Sequence, residues 1–528
     1  MPVPTPWPLV ARRALDQVVE TLAANPAGVA LLGNEGTGKT TLAAQAAEQL
    51  GRGEPLWVVG TLAQSSVPFG AFGPLLEVHE AGKPAALIKA AADSIRAQAD
   101  SRPIIIDNAR LLDPLSASLV YRLAQEPVSP LIVTVRSVLR IPQVVSALWG
   151  DGLLQQLDVL PLDGNETAAV VAAAGGGSSI AGSGGDPVVL YRRSAGNPLH
   201  LRMLLSTGGT EETLAGAIDH YLGALTPPVR RSLGLLCVFE PLSRADLIAL
   251  TDEATLAEAI DAGAVQVRQV GSSDQVGNAE FVYSGHPLFL ERLATMLDRA
   301  EVQHLRTAVA TQLAATPSRT PADRLGRTLI ALQGDGPVDG DAVVAAAQEA
   351  LQLGDVALAE RLARGVLERG EHFNARLALS SALGWQGRGR EADSVLAVVD
   401  PAKLSEDQLM AWALPRAANQ FWMLSEPERA TIFLQNVRGK VGETSSRITL
   451  DALSATFAMN AGNVRRALEV ADEVLGHADA PDAAVAWAAS AAALSSARMG
   501  RFGAVGPAIT RAMEAEHPGL LRFTIGLA

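Results

Sequence analysis

Residues Gly28 to Leu42 read GVALLGNEGTGKTTL, and this stretch decides the architecture of the first part of the chain. Val29, Ala30, Leu31 and Leu32 form the short apolar run of a fully buried strand, and TLAAQAAEQL beyond it reads as a helix. Between them, Gly33-Asn34-Glu35-Gly36-Thr37-Gly38-Lys39-Thr40 fits G-x-x-x-x-G-K-[ST] in the strand–loop–helix setting that the pattern needs. Glycines there let backbone N–H groups turn toward one point at a helix N-terminus, where a chain of phosphates can sit. In such a loop Lys39 reaches the β- and γ-phosphates and the Thr40 hydroxyl ligates Mg²⁺. The expected ligand is a nucleoside triphosphate.

Three more apolar runs follow: PLWVVG (55–60), Pro103-Ile104-Ile105-Ile106-Asp107 and LIVTVRS (131–137). Short apolar runs alternating with helices predict a doubly wound, mainly parallel α/β sheet. Asp107 closes its strand about 70 residues after the glycine-rich loop, where a carboxylate that holds Mg²⁺ belongs. The next residue, Asn108, can orient an attacking water but cannot accept its proton. Weak hydrolysis is therefore expected unless Asp113 or another acid substitutes. Arg136 reads equally as a γ-phosphate sensor and as a solvated arginine at a strand end.

Outward from this core, Pro8 to Ala24 carries helical spacing, and SSVPFGAFGPLLEV (65–78) is a turn-rich loop leading into a helix. Residues 159–214 read as a helical subdomain broken by the flexible loop GGGSSIAGSGG (175–185), with a turn at Ser194-Ala195-Gly196-Asn197-Pro198-Leu199. Residues 215–315 combine helices with a short strand pair, AVQVRQV (264–270) and AEFVYSG (279–285), which suits a winged-helix module. A linker is expected over 316–340. From 341 to 528 everything is helical and repeats: Gly354, Gly387, Ser425, Gly462 and Gly500 each close a helix, and Ala359, Ala392, Ala430, Ala467 and Val505 stand five residues on. Small residues at a turn and one helical turn later mark antiparallel helix pairs stacked as a solenoid of the tetratricopeptide kind. The terminal LLRFTIGLA is apolar and carries no polar cap, so the repeat array reads as cut short.

Composition narrows the function. With 48% hydrophobic and 19% charged residues over 528 positions, the chain is globular and long enough for about three or four domains. A net charge of −13 and only 4% aromatic residues speak against a large nucleic-acid surface or a base-stacking platform. The single cysteine, Cys237, lies in the apolar run LGLLCVF and reads as a structural thiol in a reducing compartment. No signal peptide is visible at MPVPTPWPLV, and AAVAWAASAAALSSA (483–497) falls short of a membrane span. The expected location is the cytoplasm, without membrane contact.

The order of these pieces resembles the signal-transduction ATPases with numerous domains (STAND), and among them the large ATP-binding LuxR-type regulators, to which the maltose regulator of enteric bacteria is related. The resemblance rests on Leu9-Val10-Ala11-Arg12, the glycine-rich loop, Val67-Pro68-Phe69-Gly70 through Leu75-Leu76, Ile104 through Asp113, Gly196-Asn197-Pro198-Leu199 and Gly285-His286-Pro287-Leu288. It implies that Arg12 lies by the adenine and ribose, that Gly33 to Thr41 wrap the phosphates of ATP or ADP, and that Asp107 sits by Mg²⁺. It further implies that Pro198 packs on the adenine and that His286 reaches the β-phosphate from the winged-helix module in an ADP-bound resting form. The resemblance also implies that the winged-helix module serves autoinhibition, that an inducer or partner protein binds the repeats, and that the activated form self-associates to regulate transcription. DNA would be met only through a basic C-terminal helix-turn-helix domain, which these residues do not show. The sequence departs from the family at Ala11, where glycine is usual, and at Asn108, where a second aspartate is usual. Two other functions stay open: an ATPase motor, which needs brisk turnover, and a nucleotide-stabilised scaffold for protein partners.

Overall fold

The computed structural model describes residues 10, 12–76, 84–137, 140–174, 186–207, 212–270, 279–318 and 320–516. The loop read at 175–185, the turn between the paired strands and the apolar terminus lie outside the described residues. Two compact units divide the chain, 1–358 and 359–528.

The first unit opens on α1 (Arg13–Ala24), β1 (Gly28–Gly33) and α2 (Lys39–Gln49), followed by β2 (Leu56–Val59), α3 (Pro84–Ala99), β3 (Ile104–Asp107), α4 (Pro114–Gln125), β4 (Leu131–Arg136), α5 (Gln143–Gly150) and β5 (Gln155–Asp158). All five strands are parallel in the order β2-β3-β4-β1-β5. Val29, Leu31, Ile105 and Ile132 pack against Leu15, Val18, Leu22, Leu42 and the alanines of α2. Ala30, Ile104, Ile106 and Val133, which alternate with them, are buried too, so the sheet is covered on both faces. The fifth strand escaped the sequence reading because QQLD is a polar, largely exposed edge. The β4 strand lies between β1 and β3, so its C-terminal end sits between the glycine-rich loop and Asp107.

Beyond the sheet come α6 (Gly164–Ala173), α7 (Pro187–Ser194) and α8 (Pro198–Thr207). They lead into α9 (Leu214–Ala224), α10 (Pro227–Val238), β6 (Leu242–Ser243), α11 (Arg244–Leu250), α12 (Glu253–Asp261), β7 (Val265–Val270), β8 (Ala279–Ser284), α13 (Pro287–Met296) and α14 (Arg299–Ala314). The expected strand pair is there, antiparallel, with Val267 opposite Val282, and the short β6 extends it to three strands in the order β6-β8-β7. Cys237 is half-buried in this module and its thiol is pushed up to about 12 by burial, as suits a structural residue. Where the sequence suggested a linker over 316–340, α15 (Pro321–Gln333) forms across most of the span and buries Leu325 and Ile330; 316–318, 320 and 334–339 are irregular. Unit one closes with α16 (Gly340–Gln352), and the unit boundary falls within α17 (Val356–Leu367) rather than at 341.

The second unit contains α18 (Phe373–Trp385), α19 (Gly389–Ala397), α20 (Glu406–Ala418), α21 (Pro427–Arg438), α22 (Thr444–Asn460), α23 (Val464–Leu475), α24 (Asp482–Arg498) and α25 (Val505–Glu514). Gly354, Gly387, Ser425, Gly462 and Gly500 all take positive φ, between 56° and 87°, just past a helix end. Ala359, Ala392, Ala430 and Ala467 are buried where the following helix packs close, whereas Val505 is only partly buried. The alanine- and serine-rich stretch is α24, buried on nearly every side. Among the described residues no helix is long and apolar enough to cross a membrane.

Candidate functional site

The β1 strand delivers the chain into the glycine-rich loop, and φ values of 72° at Gly36 and 87° at Gly38 turn it back into α2. The loop is held from outside by the turn before α8. Asn197 Nδ2 donates to the Glu35 carbonyl (2.7 Å) and the Leu199 N–H donates to the Gly36 carbonyl (3.2 Å). A side chain at Gly36 would meet Asn197 Oδ1 at 2.6 Å and Leu199 Cβ at 2.7 Å, so only glycine admits this docking. Arg12 fixes the other side, donating to the carbonyls of Thr37 (3.0 Å) and Leu160 (2.8 Å), with burial holding its pKa below the usual value. Arg12 is thus spent on backbone carbonyls and does not line the cavity.

At the far wall, Asp107 Oδ1 accepts hydrogen bonds from Thr40 Oγ1 (2.8 Å) and Thr134 Oγ1 (2.7 Å). Thr134 comes from β4, and its Oγ1 also accepts the Asn108 N–H. Hydroxyl and carboxylate oxygens meeting at a helix start below a loop of turned N–H groups define this loop's chemistry. It is a P-loop. The oxygen donors Thr40 and Asp107 suit Mg²⁺, which they would hold beside the phosphates of a bound nucleotide. Among the described residues no cluster of three or more His, Cys, Asp or Glu exists to hold a metal by itself.

The cavity over the loop measures about 310 Å³, within the range of small-molecule sites. Glu35, Gly36, Gly38, Lys39, Thr40, Thr41, Asp107, Asn108, Arg136 and Pro198 line it, as does His286. Gly33, Asn34 and Thr37 belong to the same loop: Lys39 Nζ donates to the carbonyls of Gly33 (2.9 Å) and Asn34 (2.6 Å), and Thr37 Oγ1 donates to the Asn34 carbonyl. Gln266, Gly285, Pro287 and Phe289 bring the winged-helix module into the wall, and Arg202 comes from α8.

Arg136 donates to Glu35 (2.9 Å) and to Glu291 of α13 (2.8 Å), while its Nη2 is buried without a hydrogen-bond partner. His286 caps α13, its Nδ1 accepting the Leu288 N–H at 3.2 Å. Burial, together with Arg136, Lys39 and Arg202, lowers its pKa to about 3. A neutral imidazole whose Nδ1 accepts carries its proton on Nε2, a donor suited to a phosphate oxygen. Asn108, at φ 56°, spends its Nδ2 on the Gly60 carbonyl, and its Oδ1 is buried and unpartnered. Asp113 accepts N–H groups from Phe69, Gly70, Leu115 and Ser116. It caps α4 and pins the 65–76 loop, and so is not free to replace a catalytic acid at Asn108.

Burial, and then Arg136, lowers the Lys39 pKa to about 8, against the raising pull of Asp107 and Glu35. Near pH 8 about half of the empty sites therefore hold a neutral lysine. Phosphate oxygens favour the ammonium, so nucleotide binding at pH 8 should take up roughly half a proton, and more at higher pH. Titration calorimetry in buffers of different ionisation enthalpy reads this directly. An observed enthalpy independent of buffer would mean that Lys39 is already fully charged.

No family model matches the chain, and no curated protein does. Among solved structures it is similar to a signal transduction ATPase with numerous domains carrying a tetratricopeptide repeat sensor, from Pyrococcus horikoshii, at 14% identity and a TM-score of 0.47 over 100% of this chain and 85% of that one. It is also similar to the Orc1 protein of Aeropyrum pernix in complex with DNA, at 18% identity and a TM-score of 0.28 over 58% of this chain and 94% of that one. A tetratricopeptide repeat protein from Parabacteroides merdae aligns at 13% identity and a TM-score of 0.25, over 58% of this chain and 97% of that one. At these scores none of the three bears on what this chain does.

Proposed function

We propose that this chain is a nucleotide-operated switch, closed around ADP and opened by ATP with Mg²⁺. The carrying observation is that the winged-helix module supplies His286, Gln266, Pro287 and Phe289 to the wall of the P-loop cavity and ties itself to Arg136 through Glu291. A site of which one wall is a separate module binds its ligand differently when that module leaves. That difference in affinity is what a ligand needs in order to shift a conformational equilibrium. His286 Nε2–H would favour a β-phosphate in the closed form, and Arg136, released from Glu291, would turn to a γ-phosphate in the open one.

Hydrolysis would be slow, because Asn108 cannot take a proton from water and Asp113 is committed to its backbone donors. The signal would arrive on the helical repeats as an inducer or a partner protein, and the open form would self-associate. A cytoplasmic transcription regulator fits this behaviour. Its DNA contact would run through a helix-turn-helix domain and not through the winged-helix module, which is occupied with the nucleotide site.

The test is chromatography of the nucleotide released by denaturing freshly purified protein, followed by sedimentation in ADP and in ATP with Mg²⁺. Stoichiometric ADP and a change of sedimentation coefficient on exchange are expected. An identical coefficient in both nucleotides would sink the switch and leave a nucleotide-stabilised scaffold; multiple turnovers per second would point to a motor.

A further inference from the structure

We infer that Arg268 takes the place of the divalent cation at Asp107 in the closed molecule, so that ADP is held there without Mg²⁺. The inference rests on the switch proposed above and assigns the cation dependence of its two states. Arg268 stands on β7, in the winged-helix module, yet its guanidinium reaches the end of β3. Its Nη2 lies 3.9 Å from Asp107 Oδ2, with both side chains almost fully buried. The other carboxylate oxygen, Oδ1, is already taken by the Thr40 and Thr134 hydroxyls. Oδ2 is therefore the oxygen left to face a cation, and the cation that faces it is Arg268.

Two aromatic rings and an amide hold the guanidinium in that position. Its Cζ lies 3.9 Å from the centre of the Trp57 ring, on the neighbouring strand β2, and 5.7 Å from the centre of the Tyr283 ring. Nη2 also donates to Gln266 Oε1 (3.3 Å), and the buried carboxyl of Glu240, its pKa raised by burial, stands nearby. Yet Nη1 is buried without a hydrogen-bond partner, and burial lowers the arginine's pKa despite Asp107, Tyr283 and Glu240. A guanidinium is expensive to bury, and its separation from Asp107 is that of an ion pair without a hydrogen bond. The pair holds charge in balance and does little to tighten the fold.

A divalent ion bound to Asp107 and Thr40 would set two further positive charges beside Arg268, in surroundings where like charges repel strongly. The two occupants therefore exclude each other. With Asp107 and Thr40 holding Mg²⁺ beside ATP, Arg268 would give up Asp107, and its return to Asp107 would restore the cation-free arrangement. Sequence pattern alone does not find this residue: Arg268 is one polar position in the alternating strand VQVRQV.

The experiment measures fluorescent-ADP affinity in EDTA and in millimolar Mg²⁺, for the wild-type chain and for Arg268→Met, which keeps the apolar stem on Trp57 and removes the charge. Wild-type affinity should be the same under both conditions within about twofold. In Arg268→Met, Mg²⁺ should tighten ADP by an amount in the usual range of coupling between two ligands, about 5–150-fold. Equal Mg²⁺ dependence in the two proteins overturns the inference. Should the variant fail to fold, Mn²⁺ resonance spectroscopy of the wild-type ADP complex decides alone: a tightly bound Mn²⁺ overturns the inference, and its absence supports it. Wild-type protein that binds no ADP overturns the nucleotide reading itself, and this inference with it.

Discussion

Lys39→Ala should weaken both ATP and ADP binding by on the order of 10- to 100-fold while leaving the fold intact. A hydrogen bond to a charged partner contributes about 1.5–3 kcal/mol, and each ~1.4 kcal/mol is tenfold in affinity. The lysine has no role in the core: its Nζ rests on the carbonyls of Gly33 and Asn34, both on the partly exposed rim, where water can replace it. Binding should not be abolished, because Arg136, Arg202, His286 and the glycines of the loop also line the cavity. Calorimetric titration of the variant with ADP, checked by circular dichroism, reads the loss. Wild-type affinity in Lys39→Ala would remove the P-loop from any part in binding.

The setting of Lys39 was legible in the sequence because everything that defines it is local: a strand, eight residues, a helix. Asp107 was visible for a related reason, since a carboxylate ending an apolar strand is rare without a task. Its partner Thr134 was hidden. One threonine inside LIVTVR looks like an ordinary strand residue, and only the insertion of β4 between β1 and β3 brings it to Asp107. Arg202, Glu291 and Arg268 were hidden in the same way: elements far along the chain bring Arg202 into the cavity wall, Glu291 to Arg136 and Arg268 to Asp107. Arg12 shows the converse. Its position near the loop was legible, but its hydrogen bonds go to Thr37 and Leu160, an outcome set by a packing 148 residues away in sequence.

The repeats were legible at their turns rather than in their faces. The left-handed residue after a helix asks for glycine, and four of the five positions have it. Ser425, at φ 56°, bears the strain that glycine avoids, and its place in the series came from spacing alone. The α15 helix was missed because its polar opening, PADR, merges with a loop of similar composition, and Leu325, Leu329 and Ile330 are too few to stand out.

The same repeats carry the second large expected effect, on stability. Phe457 of α22 is 2% exposed, stacked on Phe421 at 4.2 Å and 12°, with Trp422 edge-on at 5.3 Å. Phe457→Ala removes the centre of this trio and leaves a cavity that its neighbours cannot fill, because α22 is already packed against the close-set, alanine-rich α24. The loss should be about 3–5 kcal/mol, a third or more of the roughly 5–15 kcal/mol that holds a domain together. Helix pairs in a solenoid stabilise one another only through neighbours, so the damage should spread from α22 to α20, α21 and α23 and stop short of the P-loop. Trp385→Ala, at a residue 60% exposed, is the control and should stay within about 0.5 kcal/mol. Urea unfolding with hydrogen exchange read helix by helix separates the cases. If both variants shift the transition equally, the aromatic trio is not the keystone of the repeat unit, and the small-residue contacts of α24 must carry the stability instead.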